Sequence, residues 1–217
     1  MKIARRVWIG SLIGILGSSV SVILLFLAVA LSSSWFSWTK NALSDIGVHG
    51  GVASCVFNLQ VIVDGASMFL FAAIALSPFL SKKLSRKGWV LFLIGAGLSP
   101  LSGLFTEDSS PILHFVGAIG LFVILPIGLI LIGSALRTKS KGRYPKLTQV
   151  AGLIALISFA TAWLAFRLQL LGYGIAIPEA ASYLTIYCWI ISTGILCLRS
   201  SDSTFLYPVD PGGTARF

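Results

Sequence analysis

Long apolar runs separated by short polar stretches make up this chain. Val7–Leu31 holds no charged residue, and Val52–Leu80, Trp89–Phe105, Ile112–Leu136, Thr148–Gly172 and Ala181–Leu198 follow in the same style. Each run is near the roughly 20 residues that cross about 30 Å of hydrocarbon as a helix. The pattern predicts an all-α polytopic membrane protein with six transmembrane helices in one domain, residues 1–198, and an irregular tail, 199–217, rich in Pro, Gly, Ser and Asp. Ala28-Val29-Ala30 resembles a signal cleavage site, but the run before it is too long for a signal core of roughly 7–15 residues. Gly10 and Gly14 form a small-xxx-small pair suited to close helix approach. Pro126, mid-run, predicts a kink unless neighbours re-satisfy the freed carbonyl.

The longest polar interruption is Ser32–Gly51. Within it Trp35 and Trp38 suit a membrane interface. Asn41-Ala42-Leu43-Ser44-Asp45-Ile46-Gly47 reads as a short interfacial helix, with Ser44 or Asp45 as its cap. Ser81–Gly88 and Arg137–Leu147 read as basic loops, Thr106–Pro111 as an acidic turn, and Tyr173–Ala180 as a short loop carrying Pro178 and Glu179.

Composition sharpens the picture. Charged residues are 11% of the chain and mean hydropathy is +0.94, against roughly 25% charged in soluble domains. The net charge of +9 lies between apolar runs, so it reports topology rather than a nucleic-acid partner. Lys and Arg number three before the first run, four in the second connection, five in the fourth and two in the tail, with Lys40 the single basic residue in the opposite loops. Both termini are therefore expected in the cytoplasm of a plasma-membrane protein, with Asp45, Glu107, Asp108, Glu179, His49 and His114 at the outer side. Cys55, Cys188 and Cys197 have no metal-type spacing and read as buried apolar residues, with Cys55 and Cys188 near the same face.

Candidate chemistry falls in two places. Asp64 lies twelve residues into its run, roughly 18 Å at helical rise and so near the bilayer middle. A charge there costs about 2.5–3.5 kcal/mol on insertion scales and demands a partner. Gln60 and Ser67 share its face, so Asp64 is either a proton or cation site or a neutral carboxyl bonded to Gln60, Ser67 or a neighbouring helix. Asn58 shares a face with Ser54 and suits a hydrogen bond across a helix interface. The second place is the outer end. A helical hairpin brings Glu107 and His114 to one depth, Arg167 is expected to reach the same level, and Asp45 to close the group from above, with Asn41, Ser44 and Asp108 nearby. Carboxylates, an imidazole and a guanidinium suit general acid–base work on a polar head group, or a structural polar network. Two histidines exclude a three-His zinc site in one chain, and neither a metal nor a cofactor is expected.

Ser44-Asp45-Ile46-Gly47, Phe57-Asn58, Asp64-Gly65 and Phe105-Thr106-Glu107-Asp108 with His114 resemble the archaeal and bacterial membrane proteins grouped as "domain of unknown function 998". The likeness runs from about Trp35 to Leu136, with the other helices following in hydropathy. It implies a six-helix bundle and no established activity. The Ser-Asp-Ile-Gly turn before Phe57-Asn58 is also similar to the Frag/DRAM/Sfk membrane proteins. The serine, aspartate and three-histidine pattern of ceramidase-like membrane hydrolases is not met.

Three functional readings follow. The first is a non-catalytic subunit of a larger membrane complex, contacting lipids and other membrane chains through faces such as Gly10/Gly14 and the last helix. The second is an outer-leaflet enzyme on lipid or isoprenoid head groups, with His114, Glu107 and Asp45 as acid–base groups and Arg167 holding an anionic part. The third is a small proton-coupled transporter or sensor built on Asp64.

Overall fold

A computed structural model describes residues 3–80, 83–137, 143–168 and 174–199. All regular structure among them is helical. The long helices are α1 (Ile3–Leu31), α3 (Gly51–Phe71), α4 (Lys83–Leu98), α7 (Leu125–Arg137), α8 (Arg143–Arg167) and α9 (Ala176–Arg199), with short helices α2 (Ser44–Val48), α5 (Pro100–Leu104) and α6 (Pro111–Ile119) between them. Five spans have the length and hydropathy to cross a membrane: Ile3–Leu31, Gly51–Leu76, Leu84–Leu104, Pro111–Arg137 and Ala176–Arg199. The chain is a multi-pass membrane protein, and the exposed apolar faces of these helices contact lipid. The helix α8 takes its place beside them, packed between α7 and α9. The tail beyond residue 199 lies outside the described residues.

The helices close into a ring in chain order. α1 packs on α3, α3 on α4, α4 on α7, α7 on α8, α8 on α9, and α9 returns to α1. Inside sit the fully buried Leu25, Met68, Phe71, Phe92, Leu121, Leu129, Ile186 and Ile190. Trp189 packs against both Phe71 and Phe92, and its indole N–H donates to Thr148 Oγ1 at 3.0 Å. Small residues set the α1–α3 distance. A Cβ at Gly17 would lie 2.2 Å from Ser67 Cβ, and one at Gly14 would lie 2.6 Å from the Phe71 ring. The Gly10/Gly14 stripe, expected to be open to a partner, is thus engaged inside the chain.

Two helices cross the bundle with one widened turn each. α3 continues through a π-turn at Ala72–Leu76, and Trp89 Nε1–H donates to the Ala72 carbonyl at 2.8 Å. α6 continues into α7 through a π-turn at Gly120–Ile124, immediately before Pro126. The proline that predicted a kink is accommodated by this wider turn, in which Leu125 N–H reaches back to Gly120 O.

Several boundaries differ from expectation. α4 begins at Lys83, inside the basic stretch read as a loop. α9 begins at Ala176, so Pro178 and Glu179 are in its first turn and not in a loop. Proline is tolerated there because the first N–H groups of a helix have no intrahelical acceptor. Cys55 and Cys188 are exposed and free, and Cys197 alone is buried. The first two sit on helix faces turned away from the core, which apolar sequence context could not reveal.

Candidate functional site

The polar segment 32–50 folds over one end of the bundle. Ser32 caps its own helix through Ala28 O. Trp35 stacks on His49 with centroids 3.9 Å apart, which ties the segment's two ends together. Asn41 accepts from Ser37 N–H and donates to Asp45 Oδ2 at 2.9 Å, and the same oxygen accepts from Ala42 N–H. Asp45 thus fixes the turn entering α2; the expected side-chain cap is absent, since Leu43 occupies the N-cap position without a side-chain bond. At the far end of α2, Ser54 and Asn58 both donate to Gly47 O. Asn58 therefore does what its helix face suggested, bonding across an interface. Gly50 and Gly51 turn the chain into α3 with φ of +84° and +73°, a left-handed region costly for side chains with a Cβ.

The segment is also fastened to α9. Gly174 N–H donates to Thr39 O, and Ala176 N–H to Asn41 O. Leu43 N–H donates to Glu179 Oε2 at 2.7 Å. Glu179 is 6% exposed and has Asp45, Glu107 and His114 within electrostatic reach.

Beneath α2 lies a small pocket of about 20 Å³ lined by Ser44, Ser102, His114, Glu179, Tyr183 and apolar neighbours. That is room for one water. His114, in the first turn of α6, points its Nδ1 at the carbonyls of Ser102 and Phe105, each at 3.1 Å. Two acceptors there require a proton on Nδ1. Its Nε2 faces Glu107 Oε1 at 3.4 Å. A proton on Nε2 would complete an ion pair with the Glu107 carboxylate. The His114 side chain holds the Glu107 carboxyl below the usual glutamate range, against partial burial, and the Ser44 hydroxyl beside it acts in the same direction. Asp108 is exposed on the turn, bonded to Thr106 Oγ1, which draws its carboxyl below the ordinary aspartate value.

Of the outer group read from sequence, Ser44, Glu107 and His114 come together, with Asp45 close above. Arg167 does not join them. It is exposed, with its guanidinium carbon 5.3 Å from the Trp163 ring centroid. Depth along α8 was right, since Trp163 touches Phe115 near the start of α6, but the side chain turns outward. Among the described residues no group of three His, Cys, Asp or Glu is arranged for a metal.

A family model for proteins of unknown function, DUF998, matches residues 15–196. The chain belongs to the DUF998 family. The match extends well beyond Trp35–Leu136 and takes in the helices that had followed only in hydropathy. Comparison with curated proteins and with solved structures finds no match.

The second polar group of this DUF998 protein lies deeper. Asp64 is fully buried, and neither carboxyl oxygen has a hydrogen-bond partner of good geometry. Its helix neighbours are engaged elsewhere: Gln60 Nε2 donates to Tyr187 Oη at 2.7 Å, and Ser67 Oγ to the main-chain carbonyl of Asp64. The Tyr187 hydroxyl lies beside both Asp64 and Ser21 of α1. Gln60 Oε1, Ser21 Oγ and Ser18 Oγ are also buried without partners. Glu179, Tyr183 and Tyr187 were not singled out as site residues. Their spacing of four along α9, which puts them on one face, was the available signal.

Proposed function

We propose that this DUF998 protein is a small proton-coupled transporter or sensor of the plasma membrane. The observation that carries the reading is Asp64: a carboxyl with no exposure and the Tyr187 hydroxyl beside it, within a helix long and apolar enough to cross a membrane. Ionisable groups at such depth mark ion or proton sites. The His114–Glu107 contact at 3.4 Å supports a protonation function at the α2 end, and the Lys/Arg distribution supports an outer position for that end.

The internal use of the Gly10/Gly14 stripe removes one argument for a subunit role. The test is reconstitution in liposomes with a trapped pH-sensitive dye. Wild-type protein should carry or exchange protons in response to an imposed gradient, and Asp64→Asn should not. An Asp64→Asn protein that folds and matches wild type would end the proposal.

A further inference from the structure

Asp64 has to exchange with one side of the membrane, and the groups around it are unequal in the two directions. Towards the α2 end, Glu179, Tyr183 and Tyr187 occupy one face of α9 at successive turns, roughly 6 Å apart along the axis. All three are buried, at 6%, 4% and 1% exposure. Glu179 and Tyr183 both line the pocket. The Tyr183 and Tyr187 rings are 5.9 Å apart, and Tyr183 lies within electrostatic reach of both Glu179 and Asp64. Tyr187 closes the file by lying against Asp64.

Towards the opposite end an apolar layer comes first, with the Thr193 and Tyr144 hydroxyls, 3.2 Å apart, beyond it. Met68, Phe71, Ala72 and Ile190 are fully buried, and the Phe71 ring lies against Gly14. α1 offers the unpartnered Ser18 hydroxyl and the Ser11 hydroxyl beside the Cys197 thiol, but seven residues separate them, about 10 Å at helical rise, with Gly14 and Phe71 between.

We infer that Asp64 is loaded from the α2 end through Glu179, Tyr183 and Tyr187, with Glu179 as the relay at the mouth. The inference rests on the proton-coupled reading above. A proton arriving at the His114–Glu107 pair passes to the Glu179 carboxylate through the pocket, which has room for a bridging water. The Glu179 carboxyl gives it to the Tyr183 oxygen while Tyr183 releases its own hydroxyl proton to Tyr187. Tyr187 in turn delivers its hydroxyl proton to Asp64. Each tyrosine ends as it began, and the net change is one proton moved from Glu179 to Asp64. The titratable groups facing Asp64 are Tyr187 and Tyr183 of α9, with hydroxyls alone from α1. Those facing Glu179 are Asp45, Glu107, His114 and Tyr183.

The experiment uses the full chain in vesicles with the pH of each side set independently. A Thr39→Cys label with a membrane-impermeant maleimide reports which side the α2 end faces. Dicyclohexylcarbodiimide reacts with protonated carboxyls in apolar surroundings, and peptide mass spectrometry reads its addition at Asp64. Asp64 labelling should fall when pH is raised on the α2 side and stay constant when it is raised on the other. After a pH jump on the α2 side, Glu179→Gln and Tyr183→Phe should slow that response about tenfold or more, with thermal transitions confirming that both fold. Labelling that follows the pH of the opposite side, or variants that respond as fast as wild type, would overturn the route while leaving Asp64 as a proton site. Labelling indifferent to pH on both sides would overturn the proton-coupled reading itself.

Discussion

Leu43 N–H and Glu179 Oε2 meet at 2.7 Å across 136 residues of sequence. That bond joins the cap over the α2 end to the first turn of α9, and it puts the same carboxyl in the pocket and under the cap. Glu179→Ala leaves a buried N–H without its acceptor, which costs about 1–3 kcal/mol. Thermal unfolding in detergent should show Glu179→Ala well below wild type. Glu179→Gln, which keeps an acceptor oxygen, should fall close to it. Equal losses would mean that Leu43 N–H finds another partner.

The Glu107–His114 pair sets a pH dependence whose sign is fixed by the lowered Glu107 value. A depressed carboxyl contributes stability above its unfolded-state value, near the ordinary 4.5, and that contribution is lost as pH falls through the lower folded-state value. Infrared titration of the Glu107 carboxylate should place its midpoint below 4.5 in wild type. His114→Asn, which removes the group most responsible, should raise that midpoint. An unchanged midpoint would show that the 3.4 Å approach carries no coupling.

Gln60 and Tyr187 make a second isolated test. Tyr187→Phe strands Gln60 Nε2, and Gln60→Leu removes the donor to Tyr187. Hydrogen bonds between transmembrane helices average about 0.6 kcal/mol and reach about 1.7 in double-mutant cycles. The coupling here should lie near 1 kcal/mol, with the double variant more stable than the sum of the singles predicts. Strict additivity would count against the bond.

Close approach of α1 and α3 is tested by volume. Gly17→Ala introduces a methyl 2.2 Å from Ser67 Cβ, and overpacking of this kind costs about 1–3 kcal/mol. Adding Ser67→Gly removes the atoms it meets and should recover most of the loss. Failure of that rescue would place the strain elsewhere.

Position along each helix was legible in the sequence; direction around each helix axis was not. Counting residues put Asp64 mid-span and brought Glu107 to His114, because helical rise is constant at about 1.5 Å per residue. The same count gave Arg167 its depth but not its azimuth, and Arg167 turned out over Trp163. Cys55 and Cys188 misled in the same way, being apolar in context and outward in fact. Glu179 was hidden for another reason: Pro178 reads as a breaker, yet the first turn of a helix accepts proline, so a first-turn glutamate passed for a loop residue. The Gln60–Tyr187 bond spans 127 residues, and no local pattern announces such a pairing.

Because α1 packs on both α3 and α9, the ring closes only once α9 is in place. During synthesis the hydroxyls of Ser18 and Ser21, the Gln60 amide and the Leu43 N–H enter the membrane or its surface long before Tyr187 and Glu179 emerge from the ribosome. Until then the nascent chain presents polar groups to lipid and holds an unclosed seam along α1. α9 is therefore the clasp of the bundle, and a chain cut short before Ala176 leaves Leu43 N–H and Gln60 Nε2 without the partners that α9 supplies.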